Sequence, residues 1–511
     1  MTSDTVINIL ILILYIGMMV GMGIYSIRHT KTVDGFLLGG RGLGPWLSAF
    51  AYGTSFFSAV IFIGYAGKNG WNLGISAVWI GIGNAVIGSL LAWIILGKRT
   101  RIMSHTLNSS TMPDFFGKRF DAKSLKIGAS IITFVFLIPY TASLYNGLSR
   151  LFGMAFNIDY TICVIIMAVL TGVYVIAGGY MATAINDFIQ GIVMLGGIVA
   201  VIIAVINGKG GFASAFAQMT QVSDPSVGAE QGAFASIFGP DPIGLLGVVI
   251  LTSLGTWGLP QMVQKFYAIK DESAIKKGTI ISTIFALVVA GGCYFLGGFG
   301  RLFADQIDVK AGGYDSIIPT MLSGLPDILI GIVVILVLSA SMSTLSSLVL
   351  TSSSTITIDL VNEAKKKKMS DKSQVLLMRV LIVVFIALSV IIAIVQYKSN
   401  VTFIAQLMGI SWGALAGAFL APFLYSLFWK GTTKAACWVN FVFSVAFMLI
   451  DLFGNLTGAQ ILPVLLRSPI NAGAFCMLAG FAIVPIVSAF TKKPSVGITE
   501  FAFSDIGKKN K

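Results

Sequence analysis

Residues 339–357 read SASMSTLSSLVLTSSSTIT, and they follow directly on the apolar run GIVVILVL (331–338). The apolar run has the character of a membrane helix, yet the stretch that continues it is rich in hydroxyls. Ala340, Ser343, Thr344 and Ser347 recur at i, i+3, i+4 and i+7, which places them on one helical face, with Ser346 beside it. Hydroxyl and carbonyl oxygens on one stripe are hard, neutral ligands suited to a small hard cation. Serine and threonine in a membrane helix also bond back to the carbonyl four residues earlier, and small residues let helices pack closely. The stripe alone supports both readings.

The composition places that helix in a membrane. Of 511 residues, 56% are hydrophobic and 11% charged, against roughly 25% charged in a soluble domain. The length is therefore spent on spans. The expected fold class is an all-α polytopic membrane protein of about thirteen transmembrane helices, at about 5–27, 45–67, 74–97, 128–149, 158–178, 184–206, 242–264, 279–300, 326–361, 380–397, 401–429, 436–456 and 470–490. The N-terminal apolar run lacks a basic flank and is too long for a signal peptide, so it reads as a retained helix. Cys163, Cys293, Cys437 and Cys476 all lie in apolar spans without paired spacing, which points to neither a disulfide framework nor a zinc site.

The net charge of +13 carries topology rather than nucleic-acid binding. One set of alternate loops holds 27 of the 34 Lys and Arg residues, and the other set holds 7. The basic side is expected to be cytoplasmic, facing anionic lipid headgroups, with the N-terminus outside and the C-terminus inside a multi-pass plasma-membrane protein.

Two spans are interrupted. The second carries Gly53, Thr54, Ser55 and Ser58, and the seventh carries Gly255, Gly258 and Pro260. Such residues weaken the helix and free backbone carbonyls. The breaks lie five spans apart, so their helices run in opposite directions. Two inverted five-span units, each opening on a broken helix, suit an alternating-access transporter with its site at the midplane. The expected divisions are an extra N-terminal helix and loop (1–44), a first five-helix repeat (45–206), an extracellular loop (207–241), a second, inverted repeat (242–429), and two C-terminal helices with a cytoplasmic tail (430–511). MPDFFGKRF (112–120) reads as a short interfacial helix.

Charge within the spans is scarce. Asp187, in the sixth, reads either as a cation ligand facing a cavity or as a wetted residue at the helix start. With the Ser343, Ser346 and Ser347 oxygens it makes a site for a monovalent cation.

Four motifs in order, FLLGGRGLGPWLSAFAYGTSFFSAVIFIGYAG (36–67), INDFIQGIVM (185–194), GTWGLPQMVQKFYAI (255–269) and SASMSTLSS (339–347), resemble the sodium:solute symporter family over roughly residues 8–490. This family includes proline, pantothenate, acetate, sialic acid and sodium/glucose transporters. The resemblance implies the leucine-transporter fold, a 5+5 inverted repeat, with an extra N-terminal helix. It also implies a sodium site at the carbonyls of Thr54, Phe57 and Ala340 and the hydroxyls of Ser343 and Thr344. In some members a second sodium is held by residues like Asp187, Ser343, Ser346 and Ser347. Proline symporters carry an aspartate where this chain has Phe56, which argues against proline, and GLP at 258–260 is more like the acetate and pantothenate members, so the resemblance leans toward a small carboxylate solute: a monocarboxylate, pantothenate or an amino acid.

The substrate pocket is expected between the two broken helices, at Ser55, Phe56 and Ser58 on the first and Trp257 and Gln261 on the second. Tyr140, Asn146 and Gln406 are expected to close its sides. Trp257 and Phe56 read equally well as helix-packing aromatics. Lys265, at the inner end of the seventh span, is the basic residue nearest this region. The function expected is sodium-driven import of a small organic solute, with a proton-coupled or passive carrier as the alternative. A channel lacks a filter sequence here, and an enzyme would need clustered histidines, carboxylates or cysteines within the spans.

Overall fold

The computed structural model describes residues 31–506 except 157, 158, 366 and 400–403, together with positions 13, 14, 17, 18, 21, 24 and 25. The span expected at 5–27 therefore lies largely outside the described residues. The chain is helical nearly throughout. The main elements are α1 (Pro45–Phe56), α2 (Val60–Thr106), α3 (Met112–Phe120), α4 (Lys123–Phe156), α5 (Tyr160–Asn207), α6 (Pro242–Gly258), α7 (Pro260–Tyr267), α8 (Glu272–Gly297), α9 (Asp327–Ser354), α10 (Asp371–Ser399), α11 (Ile404–Phe428), α12 (Lys434–Thr457) and α13 (Pro469–Phe490). Among the described residues, nine helices are long and apolar enough to cross a membrane. The bent pair α6–α7 meets the same test when its two helices are taken together, and Tyr160–Val173 is a shorter apolar helix.

Local chemistry sets the ends of these helices. Thr111, Asp241, Asp271 and Thr433 cap α3, α6, α8 and α12, each side chain accepting a hydrogen bond from the third residue on. Prolines open α1, α6, α7 and α13, where the missing N–H has no helical partner to lose. Two long helical runs turn at glycines. Gly74 in α2 has φ 65° and Gly179 in α5 has φ 54°, a region that β-carbons disfavour. At Gly74 a β-carbon would also lie 2.1 Å from the Phe234 carbonyl oxygen.

Burial sorts the helices into layers. The apolar window of α11 is 94% buried and that of α10 only 33%. Hence α11 is the central pillar, packed against α4, α6, α12 and α13, and α10 presents residues such as Leu376, Val380, Ile391 and Val395 outward. α9 lies along α4 and α5 and touches α1, so the hydroxyl stretch is wholly interior. The segment 112–120 is indeed a short helix, but a buried one: Phe115, Phe116 and Arg119 are fully enclosed, with Phe116 edge-on to Phe441. Its aromatic residues find partners on α11 and α12 instead of lipid.

Candidate cation and solute site

The first broken helix stops where Phe57 takes an extended conformation (φ −102°, ψ 125°). The helix restarts at Ala59, whose free N–H donates to Ser341 Oγ at 3.1 Å. A helix end buried this deeply must satisfy its orphan groups, and α9 supplies the partners. Thr344 Oγ1 lies 3.3 Å from the Thr54 carbonyl, 3.3 Å from the Phe57 carbonyl and 3.1 Å from its own Ala340 carbonyl. Ser343 Oγ donates to Thr54 Oγ1 at 2.8 Å, and that hydroxyl donates to the Phe50 carbonyl at 2.7 Å. One hydroxyl has one proton to give, so two of the three carbonyls around Thr344 receive nothing from it. All five residues implied for the sodium site (Thr54, Phe57, Ala340, Ser343 and Thr344) thus meet in one fully buried cluster.

A second cluster lies one turn further along α9. Ser346 and Ser347 donate to the Ser343 carbonyl at 2.8 and 3.2 Å, and Ser347 Oγ is 2.8 Å from Ser55 Oγ. Lys265 also reaches it. Although read in the sequence as an inner-end residue, Lys265 is only 3% exposed, and its ammonium donates to Ser347 Oγ at 2.8 Å. The four-carbon stem carries the charge away from α7 and into the cluster. Asp187 is fully buried, neither carboxylate oxygen has a hydrogen-bond partner, and the groups acting on it are Lys265 and Ser343. The burial excludes the wetted-interface reading.

The second break is at Leu259 (φ −78°, ψ 123°), between α6 and α7, which meet at 45°. Gly258 is required there: a β-carbon would sit 2.8 Å from the Leu420 nitrogen and 2.9 Å from the Ala416 Cα on α11. Around the two breaks several buried polar atoms lack partners: Ser58 Oγ, the Tyr140 hydroxyl and Gln261 Oε1. The Tyr140 hydroxyl faces Ser58 and Trp412, and its ring meets Trp412 edge-on at 5.8 Å.

The other pocket candidates divide. The Trp257 indole N–H donates to the Ile87 carbonyl at 2.9 Å, so this side chain packs α6 onto α2. Asn146 is held by Gln396 of α10 at 2.8 Å. Gln406, half-buried near the start of α11, joins none of these contacts among the described residues. The side chain of Phe56 is not among those described. Sequence reasoning missed Ser341, and it missed Gln264, whose amide bridges the Ser110 carbonyl and Thr351 Oγ1. Each is the chain neighbour of a residue already singled out, Ala340 in the first case and Lys265 in the second, and so turns about 100° away from it around the helix.

Such an arrangement defines a membrane carrier in which a broken helix and a hydroxyl-rich helix enclose hard oxygens beside unpartnered polar groups. Among known proteins, the model of the sodium:solute symporter family matches residues 36–441. The chain is 29% identical to the osmoregulated proline transporter OpuE of Bacillus subtilis (strain 168), over 94% of each chain. It is 28% identical to a sodium/proline symporter of Staphylococcus aureus (strain JH9), over 97% of this chain and 94% of the other. The solved structure of a Na+-coupled sialic acid symporter, in a substrate-bound outward-open state, superposes with a TM-score of 0.76 at 19% identity, covering 96% of this chain and 98% of that one. The chain belongs to the sodium:solute symporter family. Its activity is sodium-coupled solute symport, and it shares the fold of the sialic acid carrier.

Proposed function

We propose that this protein imports a small, carboxylate-bearing organic solute by alternating access, driven by sodium bound at the Thr54, Phe57 and Ala340 carbonyls and the Ser343 and Thr344 hydroxyls. The observation that carries this reading is the convergence of three carbonyls on the single hydroxyl of Thr344. Oxygens crowded in this way repel one another until a cation sits among them. The solute lies between the two breaks, at Ser55, Phe56, Ser58, Tyr140 and Gln261. Asn146, Trp257 and Gln406 form the wall behind. An anionic group there leans on hydroxyls, amides, the half-helix N-terminus at Ala59 and the bound sodium.

The architecture we assign is two inverted five-helix repeats, ten crossings in all, followed by two C-terminal helices. The runs turned at Gly74 and Gly179 each contribute to two crossings. The basic loops lie in the cytoplasm, so the N-terminus is outside the plasma membrane and the C-terminus inside. The two bacterial relatives, matched over nearly the full length of the chain, are proline transporters by name, which makes proline the first solute to examine, against the reading from Phe56. Phe56 and the GLP motif favour acetate and pantothenate as the next.

The experiment is uptake of labelled proline, acetate and pantothenate into proteoliposomes, in sodium and in choline buffers, without a proton gradient. Sodium-dependent accumulation of one of them is expected. Uptake that is equal in the two buffers overturns the sodium site, and uptake driven only by an imposed proton gradient establishes the proton-coupled alternative.

A further inference from the structure

The resemblance implies, for some family members, a second sodium among residues like Asp187, Ser343, Ser346 and Ser347. In this chain a positive charge already stands there. The Lys265 ammonium is 2.8 Å from Ser347 Oγ and 4.7 Å from the centre of the Tyr180 ring. Ser347 is itself in contact with Ser55 on the first broken helix. The Ser346 and Ser347 hydroxyl protons point to the Ser343 carbonyl, which leaves their lone pairs for a cation. Asp187 is fully buried, its oxygens are unpartnered, and Lys265 is the cation that acts on it. An ionised carboxylate in a span needs a counter-charge, and the Lys265 ammonium, held on Ser347, supplies one from beyond direct ion-pair distance. A sodium ion added to the same cluster would set two like charges close together in a poorly screening interior.

The geometry points to Lys265 as a tethered cation that takes the place of a second sodium, so that this carrier binds a single sodium, at Thr344. The assignment rests on the sodium site described above and deepens it. It ties the second half of the second broken helix to the hydroxyl helix through Ser347, and through Ser347 and Ser55 to the first broken helix. The lysine is a positioning residue for both breaks, and it fixes the number of ions carried.

Equilibrium binding of radioactive sodium to the purified full-length protein tests it. Wild type is expected to bind one sodium per chain with a Hill coefficient of one. Lys265→Gln is expected to bind two, and Lys265→Gln with Asp187→Asn to return to one. Thr344→Ala should abolish the wild-type site but leave Lys265→Gln with one sodium. If Lys265→Gln proves unstable, Lys265→Met takes its place with the same expectation, and Lys265→Arg, which keeps the charge, should bind one. Two sodium ions on wild type, or a single one on both Lys265→Gln and Lys265→Met, would overturn the role of the lysine while leaving the Thr344 site standing. No sodium on wild type would overturn the Thr344 site itself, and the lysine assignment with it.

Discussion

Thr344 Oγ1 lies 3.3 Å from the carbonyl of Phe57, so the hydroxyl helix touches the first broken helix at the residue where it ceases to be helical. The two residues are 287 positions apart. A contact at the break couples whatever binds among these oxygens to the geometry of α1, and α1 also carries Ser55, which contacts Ser347. On the sodium and solute sites proposed above, ion occupancy and the shape of the solute pocket are coupled through this contact. Linkage then requires that sodium tighten solute binding and solute tighten sodium binding by the same factor.

Thr344→Ala removes the hydroxyl at the focus of the three carbonyls. The sodium concentration for half-maximal uptake is expected to rise at least about tenfold, equivalent to about 1.4 kcal/mol. Thr344→Ser keeps the oxygen and should stay within about threefold of wild type. Uptake measured across a sodium series checks both, and an Ala variant with wild-type sodium dependence would remove Thr344 from the site.

Gln261 and Trp257 are both pocket candidates in the sequence, Trp257 with an equal reading as a packing aromatic, and the structure separates them. Gln261 Oε1 is buried without a partner, so Gln261→Ala is expected to weaken solute binding about tenfold at unchanged thermal stability. Trp257 spends its N–H on the Ile87 carbonyl, so Trp257→Phe should lower the melting temperature and leave solute affinity near wild type. Calorimetric titration at two sodium concentrations, with a melting curve for each variant, reports both quantities. The opposite pattern would exchange the two roles.

How much of this site was legible follows from what each signal encodes. The hydroxyl stripe and the first break are local features, and they singled out Ala340, Ser343, Thr344 and Thr54; Phe57, and the grouping of all five as one sodium site, came from the resemblance to the family, and the fold brings the five together. Lys265 was not legible, because a residue's distance from a helix end does not say where a long side chain sends its charge. Asp187 left two readings open until its burial was known. Gly74 and Gly179 gave no sequence sign of the left-handed turns they make. Their need is set by chain segments that approach from elsewhere, such as Phe234 against Gly74 and Phe36 against Gly179.

At the end of the molecule that carries the basic loops, Lys126 bridges three carboxylates: Asp114 at 2.9 Å, Glu363 at 3.3 Å and Asp359 at 3.6 Å. Asp359 also accepts from Thr111 Oγ1 at 2.7 Å. The cluster fastens α3 and the start of α4 to the continuation of α9, a contact that an opening at this end would have to part. Lys126→Met leaves buried carboxylates facing one another and is expected to cost about 3 kcal/mol of stability. Cysteines introduced at Ser55 or Ser58 should then label faster with a membrane-impermeant maleimide applied from that side. Unchanged labelling in a destabilised variant would make the cluster a fastening without a gating role.

At the opposite end, the loop 207–241 is pinned by Arg301. Its Nε donates to the Trp71 carbonyl at 2.7 Å, it pairs with Asp224 at 2.7 Å, and its guanidinium lies 4.4 and 4.5 Å from the centres of the Trp71 and Phe234 rings. Hydrogen bonds from Ser226, together with Arg301, hold the Asp224 carboxyl below its usual value of 3.8. The folded state thus favours the anion, and the stabilising contribution is complete above the ordinary carboxylate value and lost as the pH falls through the lower, folded one. Wild type should melt at a higher temperature than Asp224→Asn at pH 7, and the gap should narrow as the pH is taken below about 4. Arg301→Gln should show a similar gap at pH 7, enlarged by the stacking it forfeits between Trp71 and Phe234. A gap between wild type and Asp224→Asn that does not change with pH would mean that Asp224 acts through its shape rather than its charge, and the ion pair would then have no part in holding the loop.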